Sequence, residues 1–276
     1  MLKALSVWSL KDNATRSAES LFGEARRYGF DGIEPAIGEE GLVALDTDKE
    51  GCQAVARAAA EAGLELTSLA SGLGWKYPLT ADSEEDRQKA VEVVRQSLQA
   101  AAWLGVDVLL VVPGTLAAGA AEGETHVPYD VAMERMKDGI GQLVPDAERL
   151  GVTMGIENVW NRVLLSPLEM RDFIDGFGSD RVGAYVDVGN MILFGYAEDW
   201  LRILGERVAC VHFKDFKREN GGGSFCPLLQ GDVDYQAVME ALREIGYDGP
   251  CIAEFFGLDQ EDLRTLEAAM ERILDM

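Results

Sequence analysis

Residues 84–112 read EEDRQKAVEVVRQSLQAAAWLGVDVLLVV and contain one complete unit of the fold. Over residues 84–104 apolar side chains recur at spacings of three and four, which predicts an amphipathic helix that opens on a serine cap. Gly105 then fits the glycine that commonly ends a helix, and the apolar run at 107–112 predicts a buried strand. A helix that returns through a glycine link to a strand is typical of parallel strands joined by crossover helices.

The same unit recurs along the chain. Similar glycine-bearing links are YGFDGIE at 28–34, LGVTMGIE at 150–157 and IGYDGPCIAEF at 245–255. Eight short β-rich runs alternate with helical patterns, at 3–8, 31–34, 64–70, 107–112, 152–157, 182–187, 208–213 and 250–255. Eight strand–helix units predict an α/β fold, a single (β/α)8 TIM barrel. An open doubly wound sheet is the alternative, but SVWSL at 6–10, after the first strand, is not the G-x-G-x-x-G motif of that fold.

Length and charge narrow the class of protein. The chain has 276 residues, 47% of them hydrophobic, with 48 acidic against 25 basic side chains and a formal net charge of −23. A β/α barrel commonly fills roughly 250 residues, so we expect a single domain over residues 1–276. Nucleic acids and anionic membranes bind basic surfaces, so this acidic excess argues against both as partners.

Targeting segments are also not expected. No run reaches the roughly 18 uncharged apolar residues of a membrane span. The segment MLKALSVWSLKDNATR at 1–16 does not resemble a secretion signal, because it has no long apolar stretch. We therefore expect a cytoplasmic location.

Four polar residues stand at the carboxyl ends of the last four predicted strands. They are Glu157 after TMGI, Asp187 after VGAYV, His212 in VACVHF and Glu254 after PCIA. Side chains alternate along a strand, so with Ile156 and its counterparts facing the helices, all four would face the barrel interior. Taken singly, each has an ordinary explanation as a cap, a salt-bridge partner or a solvated group. Three carboxylates converging beside an imidazole would repel one another without a cation, so together they predict a divalent metal site.

These residues stand in motifs that resemble those of a known family. The motifs are G-I-E-N at 155–158, D-V-G-N at 187–190, H-F-K-D at 212–215 and A-E-F at 253–255, with F-D-G-I-E at 30–34 as early support. In this order they look like the xylose-isomerase-like sugar (phosphate) isomerase/epimerase family, over essentially the whole chain. The resemblance implies a TIM barrel in which Glu157, Asp187, His212 and Glu254 hold one divalent metal ion, with Glu157 and Glu254 as the acid/base pair.

Within this family the ligand pattern is nearest to the ketose 3-epimerases, which act on free ketoses or their phosphates. In those enzymes a histidine usually follows the strand-six aspartate by three positions, and an arginine follows the strand-seven histidine by six. Arg218 fits the second position, but Asn190 occupies the first. Asparagine can donate a hydrogen bond to a substrate oxygen but cannot change its protonation state. An inosose-type dehydratase and an aldose–ketose isomerase therefore stay open, with a non-catalytic sugar-binding barrel as a remote alternative.

A mechanism follows from this ligand set. A mostly oxygen site suits Mn²⁺ best, with Mg²⁺, Co²⁺ or Zn²⁺ as alternatives. Such an ion would polarise the carbonyl of a ketose and stabilise the enediolate that forms when one glutamate removes the neighbouring proton. The second glutamate would return a proton from the opposite face and so invert the carbon.

Further candidates for substrate contact belong to the same predicted mouth. Lys214 shares the inward parity of His212 and is predicted either to orient a substrate oxygen or to form a structural salt bridge. Glu34, at the end of strand two, is a candidate for a sugar hydroxyl or for a loop anchor. Trp8 and Trp75 are candidates for an apolar wall against the sugar or for plain packing.

Two weaker signals concern phosphate and self-association. Arg218, Lys76 and Lys217 could meet a phosphate or form a solvated basic cluster. The apolar segment MILF at 191–194 hints at a homodimer or homotetramer.

Overall fold

Eight parallel strands form one sheet in the computed structural model, which describes residues 1–118 and 125–276. They are β1 Leu2–Ser6, β2 Gly32–Glu34, β3 Glu65–Leu66, β4 Val108–Val111, β5 Thr153–Glu157, β6 Val182–Asp187, β7 Val208–Phe213 and β8 Pro250–Ala253. Each of the eight predicted strands is present, and those at 182–187 and 208–213 have the predicted bounds.

The sheet closes into a barrel. Its order is β3-β2-β1-β8-β7-β6-β5-β4, which leaves β3 and β4 at the two edges. Leu69, just after β3, joins Leu109 of β4 in a parallel bridge. Its amide donates to the Val108 carbonyl, and its carbonyl accepts from the amide of Leu110, both at 2.9 Å. The predicted TIM barrel is confirmed.

A helix follows each strand. The helices are α1 Ala18–Arg27, α2 Lys49–Ala62, α3 Glu84–Leu104, α4 Tyr129–Leu150, α5 Pro167–Asp175, α6 Ala197–Leu204, α7 Tyr235–Glu244 and α8 Gln260–Leu274. Helix α3 has the predicted bounds; the Ser83 hydroxyl caps it by accepting the amide of Asp86 at 3.0 Å. Gly105 ends it at φ 80°, a left-handed conformation that side chains with a Cβ disfavour. None of the helices described here is both long enough and apolar enough to cross a membrane.

Shorter strands and 3-10 turns lie in the segments that connect the barrel strands and the helices. Short strands are Ala36–Gly38, Val43–Ala44, Ala70–Ser71, Ala117–Ala118, Thr125–His126, Asp215–Glu219 and Gly222–Cys226, and 3-10 turns are Val7–Ser9, Asn13–Thr15, Leu73–Trp75 and Gly205–Arg207. Asp215–Glu219 and Gly222–Cys226 pair in antiparallel fashion and form what we term the mouth hairpin. It contains the Gly-rich stretch at 219–224 and directly follows β7, on the face where barrels keep their active sites.

The core has two parts, as strand alternation predicts. The larger part lies between strands and helices and includes Met154, Ile156 and Val186. The smaller part fills the barrel interior and consists of Ala4, Leu110, Val112, Tyr185, Cys210 and Ile252. Because Tyr185 and Ile252 face inward, the polar residues two positions further along β6 and β8 face inward as well. These residues form the polar upper layer of the interior.

Candidate metal centre and active site

The structure brings together the four polar residues of the last four strands. Glu157 and Asp187 end β5 and β6, His212 is the penultimate residue of β7, and Glu254 directly follows β8. Each offers one ligand atom, and these atoms all lie within 4.8 Å of one another. Asp187 and His212 are fully buried, and Glu157 and Glu254 are 7% and 3% exposed. The predicted convergence is confirmed.

Three atoms of this cluster have unmet bonding capacity. Asp187 Oδ2, His212 Nδ1 and Glu254 Oε2 are buried without a hydrogen-bond partner among the described residues. Lys214 Nζ lies 2.9 Å from Asp187 Oδ2 and 2.6 Å from Glu254 Oε2, as an ion pair without hydrogen-bond alignment. Buried polar atoms without partners are costly. Carboxylate oxygens and an imidazole nitrogen aimed at one point fit a divalent cation, which would satisfy all three atoms.

The surroundings of the two glutamates shift their pKa values in opposite directions. Burial, followed by the negative charge of Glu254, raises the pKa of Glu157 well above its usual range. Burial alone would raise the pKa of Glu254 too, but His212 and Lys214 outweigh it and lower this pKa. For Lys214, burial opposes the charge, yet Asp187 and Glu254 outweigh burial and raise the pKa. Carboxyl groups whose pKa values are pushed apart can serve as acid and base.

The turn after β6 leaves one oxygen of Asp187 for the cluster. Asp187 Oδ1 accepts the backbone amides of Gly189 at 2.8 Å and Asn190 at 2.9 Å, so Oδ2 alone points inward. A Cβ on Gly189 would lie 2.7 Å from the Lys214 carbonyl oxygen, so only glycine fits where this turn meets the end of β7. The motif D-V-G-N at 187–190 thus encodes the turn that orients its own aspartate.

Asn158 has a supporting role that was not predicted. Its amide donates to the Asp187 carbonyl, and its side-chain oxygen accepts the Asp187 amide, both at 2.8 Å. This side chain therefore clamps the end of β5 to the end of β6. The sequence signal was present, since Asn158 is the last residue of G-I-E-N, but its partner could not be read from the motif.

Asn190 reaches the first glutamate. Its Nδ2 lies 3.4 Å from Glu157 Oε1 and 3.1 Å from the Asn158 carbonyl oxygen, and it donates to both. The position that usually carries histidine in ketose 3-epimerases therefore holds a donor to the predicted acid/base residue.

A cavity of about 460 Å³ opens above the cluster. Its wall contains the predicted residues Trp8, Trp75, Asn190 and Lys214 together with Glu157 and Glu254, and it also contains Ser71, Gly72, Val112, Val159, Trp160, Phe225 and Phe256. The 3-10 turns after β1 and before α3 carry the first two aromatic side chains, Trp8 and Trp75. The cavity thus combines an aromatic wall with a carboxylate floor, as pockets for small polar molecules do.

Three aromatic residues of this wall were not predicted. Trp160 follows β5, Phe225 stands on the mouth hairpin, and Phe256 follows β8. Trp160 and Phe225 stack with ring centroids 5.1 Å apart, and Phe256 lies 6.4 Å from Trp8. Lys214 Nζ lies 5.2 Å from the Phe225 centroid, so the wall adjoins the charged cluster.

The other predicted substrate contacts lie elsewhere. Glu34 is fully buried beneath the cavity, with Oε2 2.9 Å from His212 Nε2. Arg218 stands on the mouth hairpin, with Nε 3.6 Å from Asp232 and its guanidinium 5.9 Å from the Tyr196 ring, and it is not part of the cavity wall. For both residues a direct contact with sugar stays a prediction.

A closed parallel barrel with buried acid and imidazole groups that converge at its carboxyl face, where they could hold a metal ion, is the arrangement of a TIM-barrel enzyme. Residues 22–275 match the xylose isomerase-like TIM barrel family, and the chain belongs to it. The family resemblance seen in the four motifs is therefore confirmed.

Several known proteins with similar sequence or structure are sugar epimerases. The L-ribulose-5-phosphate 3-epimerase UlaE of Escherichia coli O1:K1 / APEC is 26% identical over 241 residues, covering 86% of this chain and 82% of that protein. The crystal structure of D-psicose 3-epimerase in the presence of D-fructose superposes with a TM-score of 0.82 at 18% identity, covering 100% of both chains. That of 3-keto-D-glucoside 4-epimerase YcjR from E. coli has a TM-score of 0.78 at 18% identity, again covering 100% of both chains. The two solved structures support the fold, and the sequence relative bears on the reaction.

Proposed function

We propose that this protein is a divalent-metal-dependent ketose 3-epimerase whose residues 1–276 act as one barrel domain. The observation that carries the proposal is the pair Glu157 and Glu254, which line the same cavity from β5 and from the end of β8. Two strands, β6 and β7, lie between them in the sheet, so the two carboxyl groups reach the cavity from different sides. A bound ketose between them would present opposite faces of one carbon. The 3-epimerase names among the relatives favour this reaction.

The metal part of the proposal rests on the four converging residues. Glu157, Asp187, His212 and Glu254 would hold the ion, and Mn²⁺ is the ion that we propose, with Mg²⁺, Co²⁺ or Zn²⁺ as alternatives. When bound, the ion would supply a positive charge that makes the proton next to a ketose carbonyl more acidic.

The protein groups would move the proton. One glutamate removes the proton from C3, and the electron pair of the C3–H bond forms a C2–C3 double bond while the π pair of the C2 carbonyl moves to its oxygen. The π pair then re-forms the C2 carbonyl as the C2–C3 double bond takes a proton at C3, on the opposite face, from the other glutamate. Asn190, a donor to Glu157, and Lys214, 2.6 Å from Glu254 Oε2, hold the two carboxyl groups in place. Lys214 is also the basic side chain among the described residues that line this cavity, which supports the predicted substrate contact.

The charges around the mouth favour a ketose without a phosphate, although the named relative acts on a phosphate. Lys76 is paired with Glu39. Lys217 Nζ lies 2.8 Å from Asp232 Oδ1, and Arg218 Nε lies 3.6 Å from Asp232 Oδ2. The lysine that lines the cavity is paired with two carboxylates, as described above. Each of these cations among the described residues already has an acidic partner, so a phosphate would have to displace one.

The reaction class can be tested by solvent exchange. Incubated in D₂O with the Mn²⁺-loaded enzyme, a ketose is expected to take up one deuterium at C3 and to yield its C3 epimer, because each turnover protonates that carbon from the solvent-equilibrated glutamate. NMR and mass spectrometry would follow free ketopentoses and ketohexoses, their terminal phosphates, and inososes. Free ketoses are expected to give the higher kcat/KM.

The same panel contains the outcomes that contradict the proposal. An aldose product would assign an aldose–ketose isomerase, and a product lighter by one water would assign an inosose-type dehydratase. If sugars bind but no member of the panel shows deuterium exchange, the protein is a non-catalytic sugar-binding barrel. A higher kcat/KM for the phosphate esters would contradict only the preference for free ketoses.

An exposed apolar surface beside the mouth supports self-association. It contains large apolar side chains that are at least one-third exposed: Leu165, Leu168, Leu193, Phe194 and Tyr196. An apolar cavity of about 420 Å³ lies within it. The rest of the surface carries most of a net charge of −23, so two copies would repel each other except where such uncharged faces meet. We propose a homodimer, with a homotetramer as the larger alternative, through this face.

Phe194→Glu is expected to convert the oligomer into a monomer, because it places a charge on a side chain that is 63% exposed in the chain and would be covered in the dimer. Size-exclusion chromatography with light scattering would measure the mass. Gln236→Glu, which adds the same charge on exposed α7, is the control and should leave the mass unchanged. A monomeric wild-type protein would contradict the proposed assembly.

A cytoplasmic location stays a prediction from the sequence.

A further inference from the structure

Glu34 is a fully buried carboxylate, and both of its oxygens contact protein groups. Its Oε2 lies 2.9 Å from His212 Nε2. Its Oε1 accepts a hydrogen bond from Ser68 Oγ at 2.7 Å and another from the Tyr185 hydroxyl. Ser68 and Tyr185 are themselves fully buried. A buried carboxylate is costly unless its oxygens are satisfied, and here three groups converge on them.

The contact with Glu34 determines which nitrogen of His212 is left for the cluster. A carboxylate only accepts hydrogen bonds, so Nε2 must carry the proton that it donates to Glu34. The other nitrogen, Nδ1, then points toward the ligand cluster, 3.1 Å from Glu254 Oε2 and without a hydrogen-bond partner. A metal ligand must offer a lone pair, and with Nε2–H fixed, Nδ1 is the atom that can offer one.

A residue of a third strand, Tyr185 of β6, contacts both Glu34 and His212. Tyr185 of β6 packs edge-on against the His212 ring, with centroids 4.5 Å apart. Its hydroxyl lies 3.1 Å from Ser68 Oγ, so the two hydroxyl groups that bond Glu34 also contact each other. The carboxylate, the tyrosine and the imidazole thus form one packed unit beneath the cavity.

We propose that Glu34 is a positioning residue that fixes the orientation and the tautomer of His212 for metal binding, in place of a direct contact with sugar. The inference rests on the proposed function, because it takes His212 as a ligand of the ion. Three donors meet at Glu34, and a carboxylate can accept from all three because both of its oxygens are acceptors. Glutamine at this position would present an N–H₂ either to His212 or to the two hydroxyl groups.

Metal affinity tests the proposal without relying on turnover. Titration calorimetry with Mn²⁺ is expected to show a loss of about 10-fold to 100-fold in affinity for Glu34→Gln, the range typical when the partner of a ligating histidine is changed. Tyr185→Phe and Ser68→Ala each remove one hydroxyl that holds Glu34 but keep the carboxylate, so each should lose a smaller, roughly threefold to tenfold, factor. Should Glu34→Gln fail to fold, these two variants still decide the matter, and wild-type affinity in both would overturn the proposal.

The tautomer gives a readout that a merely structural role would not change. The chain has only two histidines, so ¹⁵N-histidine labelling gives two resolvable imidazoles, and His126 is an exposed internal reference. In the Zn²⁺-loaded wild type, His212 is expected to show a proton on Nε2 and none on Nδ1. In Zn²⁺-loaded Glu34→Gln, the Nε2 proton signal should shift upfield or weaken, because this proton loses its carboxylate acceptor. An unchanged Nε2–H signal together with unchanged affinity would overturn the proposal. A wild-type protein that binds none of the candidate ions would instead overturn the metal centre itself, and the inference with it.

Discussion

Glu157→Gln and Glu254→Gln are each expected to abolish epimerisation while leaving the fold intact. Glutamine is nearly isosteric with glutamate, so packing in this buried layer should survive. It cannot accept or deliver the proton, and general acid–base catalysis is worth roughly 10²-fold to 10⁴-fold per group. Weaker metal binding adds to the loss, so kcat/KM for the C3 epimerisation should fall by at least about 10³-fold. Metal content, measured in parallel, separates the two contributions.

Deuterium exchange makes this prediction more specific. If each glutamate serves one face of C3, a variant that keeps one of them can still remove the proton from one epimer and return deuterium to the same face. Residual exchange in each variant is therefore expected with only one of the two epimers, and with the opposite epimer in the other variant. Glu65→Gln, at an exposed position where β3 begins, is the matched control and should keep wild-type activity. Full epimerisation by either active-site variant would remove that glutamate from the mechanism.

The ligand cluster could be predicted from the sequence because two periodicities act together. Alternation along β5 to β8 assigns one face to Glu157, Asp187, His212 and Glu254, and barrel closure brings that face to a common axis. Apolar neighbours confirm the assignment, since Ile156 and Val186 pack on the helix side. Neither argument needs a loop conformation. Short-range pattern and topology were sufficient here.

Contacts across the barrel could not be predicted in the same way. Glu34 and His212 are 178 residues apart, and alternation places both side chains inside without saying how far each one reaches. For that reason Glu34 was interpreted as a sugar contact or a loop anchor, whereas in the structure both of its oxygens contact groups inside the barrel. The distance depends on how the interior side chains pack, among them Tyr185, which bonds Glu34 through its hydroxyl and packs against the His212 ring.

Two of the five aromatic residues in the cavity wall, Trp8 and Trp75, were predicted, and the other three were missed because the wall depends on loop paths. Trp8 stands next to a strand end and was found, but Phe225 reaches the cavity only because the mouth hairpin folds back toward β5, where Trp160 stacks on it. A Gly-rich stretch in a sequence indicates a turn but not the direction in which the chain returns. The Ala/Gly-rich run GTLAAGAAEG at 114–123 predicts a loose loop after β4, but its residues 119–123 lie outside the described residues.

Removal of one metal ligand is expected to empty the site and to lower the stability that the ion confers. Asp187→Asn keeps an oxygen for the amides of Gly189 and Asn190, but places an N–H₂ where Oδ2 faces the cluster, so the turn should survive while the ligand is lost. A change in a partner of a ligand already costs roughly 10-fold to 100-fold in affinity, so loss of the ligand itself should cost at least about 100-fold. Elemental analysis should find one divalent ion per chain in the wild type and almost none in Asp187→Asn or His212→Ala.

Thermal unfolding adds an independent measure of the same site. An ion at 100 times its Kd stabilises the folded state by about 2.7 kcal/mol, which corresponds to a rise of about 5–10 °C in Tm for a domain of this size. The wild type should lose this increment in EDTA, whereas Asp187→Asn should unfold at one temperature with or without the ion. Asp232→Asn, which removes a carboxylate from the surface pair with Lys217, is the control and should keep both the ion and the increment. Unchanged metal content in both Asp187→Asn and His212→Ala would show that these strand ends do not hold the ion, because each variant removes one of the four proposed ligands.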